Sequence, residues 1–424
     1  MRSAVRLILL SLTLCHFGFV AAAELRVAAS GSIAAAVAQA QPGDTIRVAR
    51  GLYREHLRID KPLTLIGEDM PTISGELTGD VIRVISPDVR IEGFVVRDSG
   101  DDLEKQQAGI YLQPGAHRAV VRNNQLAYNL FGLWVEKANE VLVEGNRIVG
   151  KRDYLSPNRG NGIQLYNTQG AKIVGNRISY ARDGIYVDVS HHALFRGNEI
   201  HDCRYGTHYM NSYYNTWEKN FVHHNRGGLA LMEVHDQTVR DNVVWANTDH
   251  GIMLRTLQRA EVSGNVIAGN GRGFFIYDAQ DNTLTGNLVV GNEVGVHLSA
   301  GSWHNAVDGN DFIDNHEGVR YVGAKDEVWG GAKNAIGNHW SGYLGWDRNG
   351  DGRGDVPFEA ADLVDRLMWR YPAARVLLNS PAIETLRLAA RQFPVLRAPT
   401  VVEPSPAMHP RHPDWRHWLE RARH

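Results

Sequence analysis

The chain has 424 residues, a formal net charge of −2, 43% hydrophobic residues and 22% charged residues. This composition is that of a folded protein rather than a disordered one. A charge close to zero argues against a general nucleic-acid-binding protein, which would need a strongly basic surface. The 43 glycines indicate a fold with many turns.

The N-terminus has the pattern of a cleavable secretory signal. Arg2 and Arg6 precede an apolar run over residues 7–20, and three alanines follow that run. A basic start, a short apolar segment and small residues at the cleavage site are typical of such signals. The run is also short for a membrane-spanning helix. We therefore expect residues 1–23 to be a signal peptide and the mature protein to be exported.

Two residue markers recur with one period along most of the chain. A glycine followed by an alternating strand recurs every 22 or 23 residues, with one step of 30, and an asparagine series keeps the same spacing. The glycines are Gly109, Gly132, Gly162, Gly184, Gly206, Gly228, Gly251, Gly273, Gly295 and Gly318. The asparagines are Asn124, Asn146, Asn176, Asn198, Asn220, Asn242, Asn265, Asn287 and Asn310. Short strands joined by Gly- and Asn-rich turns at a fixed period predict an all-β solenoid, specifically a right-handed parallel β-helix.

The repeat departs from regularity at two places: a cysteine stands in an asparagine position, and one step is 30 residues long. In a parallel β-helix, equivalent residues of successive coils lie about 4.8 Å apart and form ladders. A second asparagine series lies five residues after the first, and Cys203 occupies one of its places. We interpret Cys203 as an apolar replacement inside a ladder rather than as a reactive thiol. The extra residues of the 30-residue step fall at 152–161, where we expect a loop.

The two ends of a solenoid must be covered. The Ala-rich segment 32–41, stopped by a Pro-Gly pair, predicts an N-terminal capping helix. We expect the β-helix with this cap to span residues 24–345, and an Asp/Gly-rich loop with a helical cap to span residues 346–393. Residues 394–424 are predicted to form an extended tail with a short terminal helix. The helices of the C-terminal cap are predicted at residues 363–371 and 381–393.

One outward face of the predicted solenoid is unusual in composition. The apolar residues one and three places after each repeat glycine face the core, so those two and four places after it face solvent. These outward positions hold Trp134, Tyr166, Tyr186, Asp188, His208, Met210, Met232, Met253, Phe275, Tyr277 and His297. Thioether and imidazole groups in an exported protein suit Cu(I). We therefore name His208, Met210, Met232 and Met253 as candidate copper ligands. A docking surface for a partner protein, rich in adaptable methionines, explains the same stripe equally well.

A second candidate metal site lies after the repeat ends. Asp347, Asn349, Asp351 and Asp355 occupy positions 1, 3, 5 and 9 of a segment that matches a calcium-binding loop, with glycine at position 6. Position 12 is Phe358 instead of the usual bidentate glutamate. We expect a structural calcium site here, with an ordinary polar turn as the alternative.

The alternative function is binding or cleavage of a secreted polysaccharide, a common role of parallel β-helices. Glycoside hydrolysis needs two carboxylates about 5–10 Å apart. Glu136 and Asp188 share an outward column two coils apart. However, the Gly-His-Gly and Asp-Pro-His-Asp motifs of alginate epimerases and pectinase-like hydrolases are absent from the sequence. We therefore expect a protein that is not an enzyme.

Several segments resemble the NosD family of accessory proteins for maturation of nitrous oxide reductase. The most specific are GVHLSAG at 295–301, GNHWSGYLGWD at 337–347 and LMWRYP at 367–372. The resemblance implies a periplasmic, non-enzymatic protein that works with an ABC-type ATPase and a membrane permease. It also implies that copper, or a copper–sulfur precursor, passes from a copper chaperone lipoprotein to apo nitrous oxide reductase. Met408, His409, His412 and His417 in the tail are candidates for metal binding or for contact with the membrane partner, and we expect partner contact.

Overall fold

The computed structural model describes residues 22–299, 301–323, 325–331, 335–360, 364, 367, 371–377, 380–392 and 399–423. Three long sheets of 13, 12 and 13 strands run along the molecule. Each coil contributes one strand to each sheet, and each strand pairs in parallel with the equivalent strand one coil away, as the 227–235 and 250–258 strands do. The predicted parallel β-helix is therefore confirmed.

The strands of each sheet follow in chain order. The first sheet contains Glu24–Val27, Thr45–Val48, Thr64–Gly67, Arg90–Glu92, Val120–Arg122, Leu142–Glu144, Lys172–Val174, Leu194–Arg196, Thr216–Glu218, Thr238–Arg240, Glu261–Ser263, Thr283–Thr285 and Ala306–Asp308. The second contains Leu57–Ile59, Ile82–Val84, Ala108–Leu112, Phe131–Glu136, Ile163–Tyr166, Asp183–Asp188, Tyr205–Met210, Gly227–His235, His250–Gln258, Arg272–Tyr277, Val294–Leu298 and Glu317–Tyr321. The third contains Leu52–Arg54, Thr72–Ser74, Val95–Arg97, Gln125–Asn129, Arg147–Gly150, Arg177–Ser179, Glu199–His201, Phe221–His223, Val243–Trp245, Val266–Ala268, Leu288–Val290, Asp311–Ile313 and His339–Trp340.

Buried asparagines connect the coils at the turn between the first and third sheets. Oδ1 of Asn242 accepts hydrogen bonds from the backbone N–H (3.0 Å) and the Nδ2 (2.9 Å) of Asn220, one coil earlier. Nδ2 of Asn242 in turn donates to the Trp217 carbonyl at 2.9 Å. The same pattern repeats along the predicted series and extends it to Asn338. These bonds satisfy turn groups that no water reaches.

Cys203 belongs to the second asparagine ladder, as its place in the repeat predicted. Its backbone N–H donates to Oδ1 of Asn225 at 2.9 Å, the bond that a ladder asparagine makes. Burial raises the pKa of the Cys203 thiol to about 12. A thiol in this setting stays protonated and behaves as a small apolar side chain.

The N-terminal end is covered by helix α1 (Ile33–Gln39). Ser32 caps the helix by accepting a 3.1 Å hydrogen bond from the N–H of Ala35, and Glu55 accepts from the N–H of Ala34 at 2.8 Å. Ile33 and Val37 are buried against the first coil. The predicted capping helix is therefore confirmed.

The C-terminal end is covered mainly by strands among the described residues. A small sheet holds Glu327–Val328, Phe358–Glu359 and Val401–Glu403. Trp340, in the last coil, stacks on Phe312 with 4.2 Å between ring centroids and contacts Phe358 in a tilted arrangement at 5.1 Å. The predicted helix over 381–393 is confirmed as α2 (Pro381–Gln392), whereas most of the one over 363–371 falls outside the described residues. Two 3₁₀ turns are Ser156–Asn158 and Pro372–Leu377.

The segment after residue 399 returns to the solenoid instead of forming the extended tail that its composition predicted. Helix α3 (Trp415–Ala422), the predicted terminal helix, lies on the third sheet. Trp418 and Leu419 pack there against an apolar patch of Val243, Trp245, Val266, Ala268, Leu288, Val290 and Ile313. Ala422 lies so close to Gly291 that an added Cβ at that glycine would be 2.7 Å from its own. Burial of this apolar face holds the segment in place.

Candidate functional site

The candidate copper ligands lie together on three successive strands of the second sheet. Pairing matches His208 with Ala230, and Ala230 with Met253, so His208 and Met253 share one outward column on either side of an alanine. Met210 and Met232 occupy the neighbouring column, one residue beyond the paired Tyr209 and Leu231. At about 4.8 Å per coil, the backbones of His208 and Met253 are about 10 Å apart. The structure therefore brings all four residues to one patch.

Two small residues of the central coil shape this patch. Gly227 faces the rings of Tyr205 and His250 from the adjacent coils, and an added Cβ there would lie 2.6 Å from an atom of each ring. Ala230 is completely covered by its neighbours. The central coil thus provides space into which side chains of the coils on both sides can lean.

A buried carboxylate orients the His208 ring. Nδ1 of His208 lies 3.1 Å from Oδ2 of Asp183, which is 1% exposed, and Arg204 donates to the same carboxylate at 2.6 and 2.8 Å. Burial alone would raise the pKa of Asp183, but the bonds from His208 and Arg204 outweigh it and hold the pKa below its usual range. A carboxylate that accepts from Nδ1–H leaves Nε2 as the nitrogen available for a metal.

The thioethers are less exposed than strand alternation predicted. The sulfur of Met210 accepts a hydrogen bond from the Tyr186 hydroxyl at 3.7 Å, and the sulfur of Met232 lies 4.0 Å from a guanidinium nitrogen of Arg255. Met253 is only 9% exposed. The expectation that every second and fourth residue faces solvent is therefore wrong for Met253, because bulky side chains in one column cover each other.

His250 adds a buried imidazole on the same strand as Met253. It begins the 250–258 strand, is 0% exposed, and neither ring nitrogen has a hydrogen-bond partner among the described residues. Its Nδ1 lies 3.6 Å from the Asp249 carboxylate, and burial lowers the pKa of His250, which favours the neutral ring. Its position immediately before a repeat glycine, one coil after Gly227, was the sequence signal.

No group of three or more His, Cys, Asp or Glu side chains within the described ranges is arranged to hold a metal ion. A metal on this patch would therefore depend on thioether sulfur. That donor set is soft, and it fits Cu(I) better than Zn²⁺, Mg²⁺ or Ca²⁺.

The predicted calcium loop is an exposed turn held by its own side chains. The two carboxylate oxygens of Asp347 accept from the N–H groups of Gly350 (2.7 Å) and Gly352 (2.8 Å), and Asp355 accepts from the N–H of Arg348 at 2.6 Å. Asn349 and Asp351 form similar short-range bonds. The calcium assignment of Asp347, Asn349, Asp351 and Asp355 stays a prediction.

The two carboxylates considered for polysaccharide hydrolysis lie in one column, as predicted. Pairing matches Glu136 with Tyr166, and Tyr166 with Asp188, so a tyrosine separates the two acids. Glu136 also accepts a 2.5 Å hydrogen bond from the Tyr111 hydroxyl. This arrangement does not place both carboxylates across one open cleft.

Comparison with known proteins decides the family. A family model described as "Periplasmic copper-binding protein (NosD)" matches residues 144–345. A protein of Stutzerimonas stutzeri named "Probable ABC transporter binding protein NosD" is 36% identical over 377 residues, covering 85% of this chain and 86% of its own. The protein of that name in Pseudomonas aeruginosa is 39% identical over 375 residues, covering 85% and 87%. The chain belongs to the NosD family.

Solved structures show the same fold without close sequence similarity to this NosD-family chain. PfbA, a surface adhesin of Streptococcus pneumoniae, has a TM-score of 0.55 at 10% identity and covers 71% of this chain and 88% of its own. The Dettilon tailspike protein has a TM-score of 0.50 at 13% identity and covers 66% and 62%. Within the described part of the chain, no helix has the length and hydrophobicity to cross a membrane.

Proposed function

We propose that this protein is exported to the periplasm by a signal peptide at residues 1–23 and there handles copper as cargo. It accepts Cu(I) from a copper chaperone lipoprotein on His208, Met210, Met232 and Met253. Together with an ABC-type ATPase and a membrane permease, it delivers copper, or a copper–sulfur precursor, to apo nitrous oxide reductase. The chain itself performs no catalysis.

The observation that carries this proposal is the imidazole held by Asp183 beside three thioethers. The contact between Nδ1 of His208 and the carboxylate orients the ring and leaves Nε2 as the nitrogen that would bind the metal. Neutral sulfur ligands add softness without adding charge, which suits a monovalent copper ion. Because Met210 and Met232 must give up their contacts with Tyr186 and Arg255 to bind, the site suits transient rather than permanent binding.

A competition titration with a chromogenic Cu(I) chelator tests the proposed ligands. The M210A/M232A/M253A variant should bind Cu(I) at least tenfold more weakly than the unaltered protein. The control M70A removes a methionine outside the patch and should leave the affinity unchanged. Equal affinity of the triple variant and the unaltered protein would refute the assignment.

The same titration distinguishes metal binding from partner docking. If the stripe only docks a partner, the triple variant loses binding to copper-free nitrous oxide reductase in a pull-down and keeps its Cu(I) affinity. Release of unsaturated uronate or reducing sugar from a polysaccharide panel would instead support an enzymatic role.

A further inference from the structure

A basic cleft lies beside the candidate copper patch, where the extra residues of the repeat fold over the solenoid. The loop over 152–161 contains the Ser156–Asn158 turn and forms one wall, and three coils form the other. The cleft has a volume of about 630 Å³. It is lined by Ser156, Pro157, Arg159, Arg182, Asp202, Cys203, Arg204 and Arg226.

Three of its four arginines form a ladder. Arg182, Arg204 and Arg226 come from successive coils, linked by backbone bonds from Arg204 N–H to the Arg182 carbonyl (2.7 Å) and from Gly227 N–H to the Arg204 carbonyl (2.9 Å). Their backbones are therefore about 4.8 Å apart. Like charges at this spacing repel each other unless anions lie between them.

The acids beside this ladder already have arginine partners: Asp249, one coil beyond Arg226 in the same column, pairs with Arg272. Arg204 pairs with Asp183, which is shared with His208. Across the described ranges, neither Arg182 nor Arg226 has a salt-bridge partner. Asp202, the one acid that lines the cleft, lies 2.7 Å from Nδ1 of His201, and none of the ion pairs among the described residues joins it to the ladder.

Arg159 reaches the cleft from the loop, and its charge is not neutralised either. Its guanidinium donates to the backbone carbonyls of Tyr154 (2.8 Å) and Arg152 (2.9 Å), which are uncharged acceptors. These bonds hold the guanidinium in place, and both acceptors belong to the same loop, so they also stabilise its conformation. The cleft thus combines a fixed arginine on the loop with the arginine ladder on the coils.

Another arginine pair on the same solenoid shows how such charges are balanced when they serve stability. Arg196 and Arg240 lie two coils apart, and Glu218 of the intervening coil is bound by both. Burial would raise the pKa of Glu218, but these two arginines hold it below its usual range, so the carboxylate stays charged. The equivalent place between Arg182 and Arg226 holds a third arginine, Arg204, instead of an acid.

We propose that this cleft is a binding site for a multivalent oxyanion, with carboxylates taking the place of the missing acid. The guanidinium group binds planar carboxylates through two parallel hydrogen bonds. A compact tricarboxylate and the side chains of a short acidic protein segment present the same groups, and both are compatible with the volume of the cleft. The proposal uses none of the copper ligands and does not rest on copper binding.

Isothermal titration of the full chain with citrate, with a penta-glutamate peptide and with acetate tests this site. We expect saturable binding of citrate or the peptide that exceeds binding of acetate. The R182Q/R226Q variant should weaken that binding at least tenfold. The matched control R58Q/R147Q removes two exposed arginines elsewhere and changes the net charge equally, so its affinity should stay within about twofold of the unaltered protein.

The two sources of carboxylate give different results. Tighter binding of the peptide than of citrate points to an acidic segment of a protein partner, and binding of citrate alone points to a small molecule. The proposal is overturned if neither ligand binds saturably, or if the control variant weakens binding as much as R182Q/R226Q does.

Discussion

The side-chain amide of Asn338 donates a 2.6 Å hydrogen bond to Oε2 of Glu403, a residue 65 positions later in the chain. The backbone N–H of Asn338 donates to the other carboxylate oxygen at 3.3 Å. Glu403 therefore accepts the two bonds that the next asparagine would accept, and it ends the ladder. Its side chain is 0% exposed, and burial raises the pKa of Glu403 from its ordinary value of about 4.5 to about 7.

We expect Glu403 to make stability depend on pH between about 4.5 and 7. In this window the folded state keeps a proton that the unfolded state releases, so the free energy of unfolding falls as pH rises, by about 3 kcal/mol at most. In E403Q a single amide oxygen can accept both bonds, as the ladder asparagines do. Urea unfolding at pH 5 and pH 8 should show E403Q equal to the unaltered protein at the lower pH and more stable at the higher pH. A difference that does not vary with pH would contradict this.

Asp183→Asn should weaken Cu(I) binding by about 10–100-fold, because it removes the negative charge and replaces one of the two carboxylate oxygens that hold His208 and Arg204 with an NH₂ donor. The readout is chelator competition, with circular dichroism to confirm folding. Glu218→Gln is the matched control, since Glu218 is also a buried acid bound by arginine but lies on the first sheet. Equal losses in both variants would assign the effect to general destabilisation.

Cys203 should not react with a thiol reagent in the folded protein. Its buried thiol has a pKa of about 12, so almost no thiolate exists at pH 8. A colorimetric disulfide reagent should label this cysteine only in urea, with C203S as the blank. Rapid labelling without denaturant would show that this part of the second asparagine ladder opens readily.

Millimolar Ca²⁺ should raise the melting temperature by about 1–3 °C if the loop at Asp347 binds it with the weak affinity of extracellular calcium modules. Hydrogen bonds from the N–H groups of Gly352 and Gly350 lower the pKa of Asp347, so the loop is charged at neutral pH. The D347N/D351N variant should lose the shift, while D60N/D69N, with the same charge change, should keep it. No shift in the unaltered protein argues for an ordinary polar turn.

Sequence reasoning could predict the coils because their determinants are local and repeated. The spacing of Gly206, Gly228 and Gly251 predicts which residues of successive coils lie side by side. The same repeat length places Cys203 in the second asparagine ladder. The candidate copper patch could also be predicted from the sequence, because His208 and Met210 stand at outward positions of one strand.

Features that depend on contacts between distant residues were not predictable in this way. Nothing near Glu403 in the sequence indicates that it would meet Asn338, and the apolar face of α3 gives no sign of which sheet it covers. The burial of His250 and Met253 depends on side chains stacked from the adjacent coils, which strand alternation ignores. Arg182, Arg204 and Arg226 are spaced by one repeat in the sequence, but their stacking without an acid between them depends on how the coils fold.

Because the C-terminal segment packs back on the solenoid, the coils become available before the helix that covers them. Synthesis and export both begin at the N-terminus, so the residues of the coils that carry Trp245, Val266 and Val290 emerge before α3, which covers them. Arg423, at the end of that helix, pairs with Asp314, which lies 109 residues earlier in the chain. Until the C-terminal residues are in place, the apolar patch on the third sheet is uncovered and the asparagine ladder lacks Glu403 at its end. This interval is when the chain is most exposed to aggregation and most in need of a chaperone.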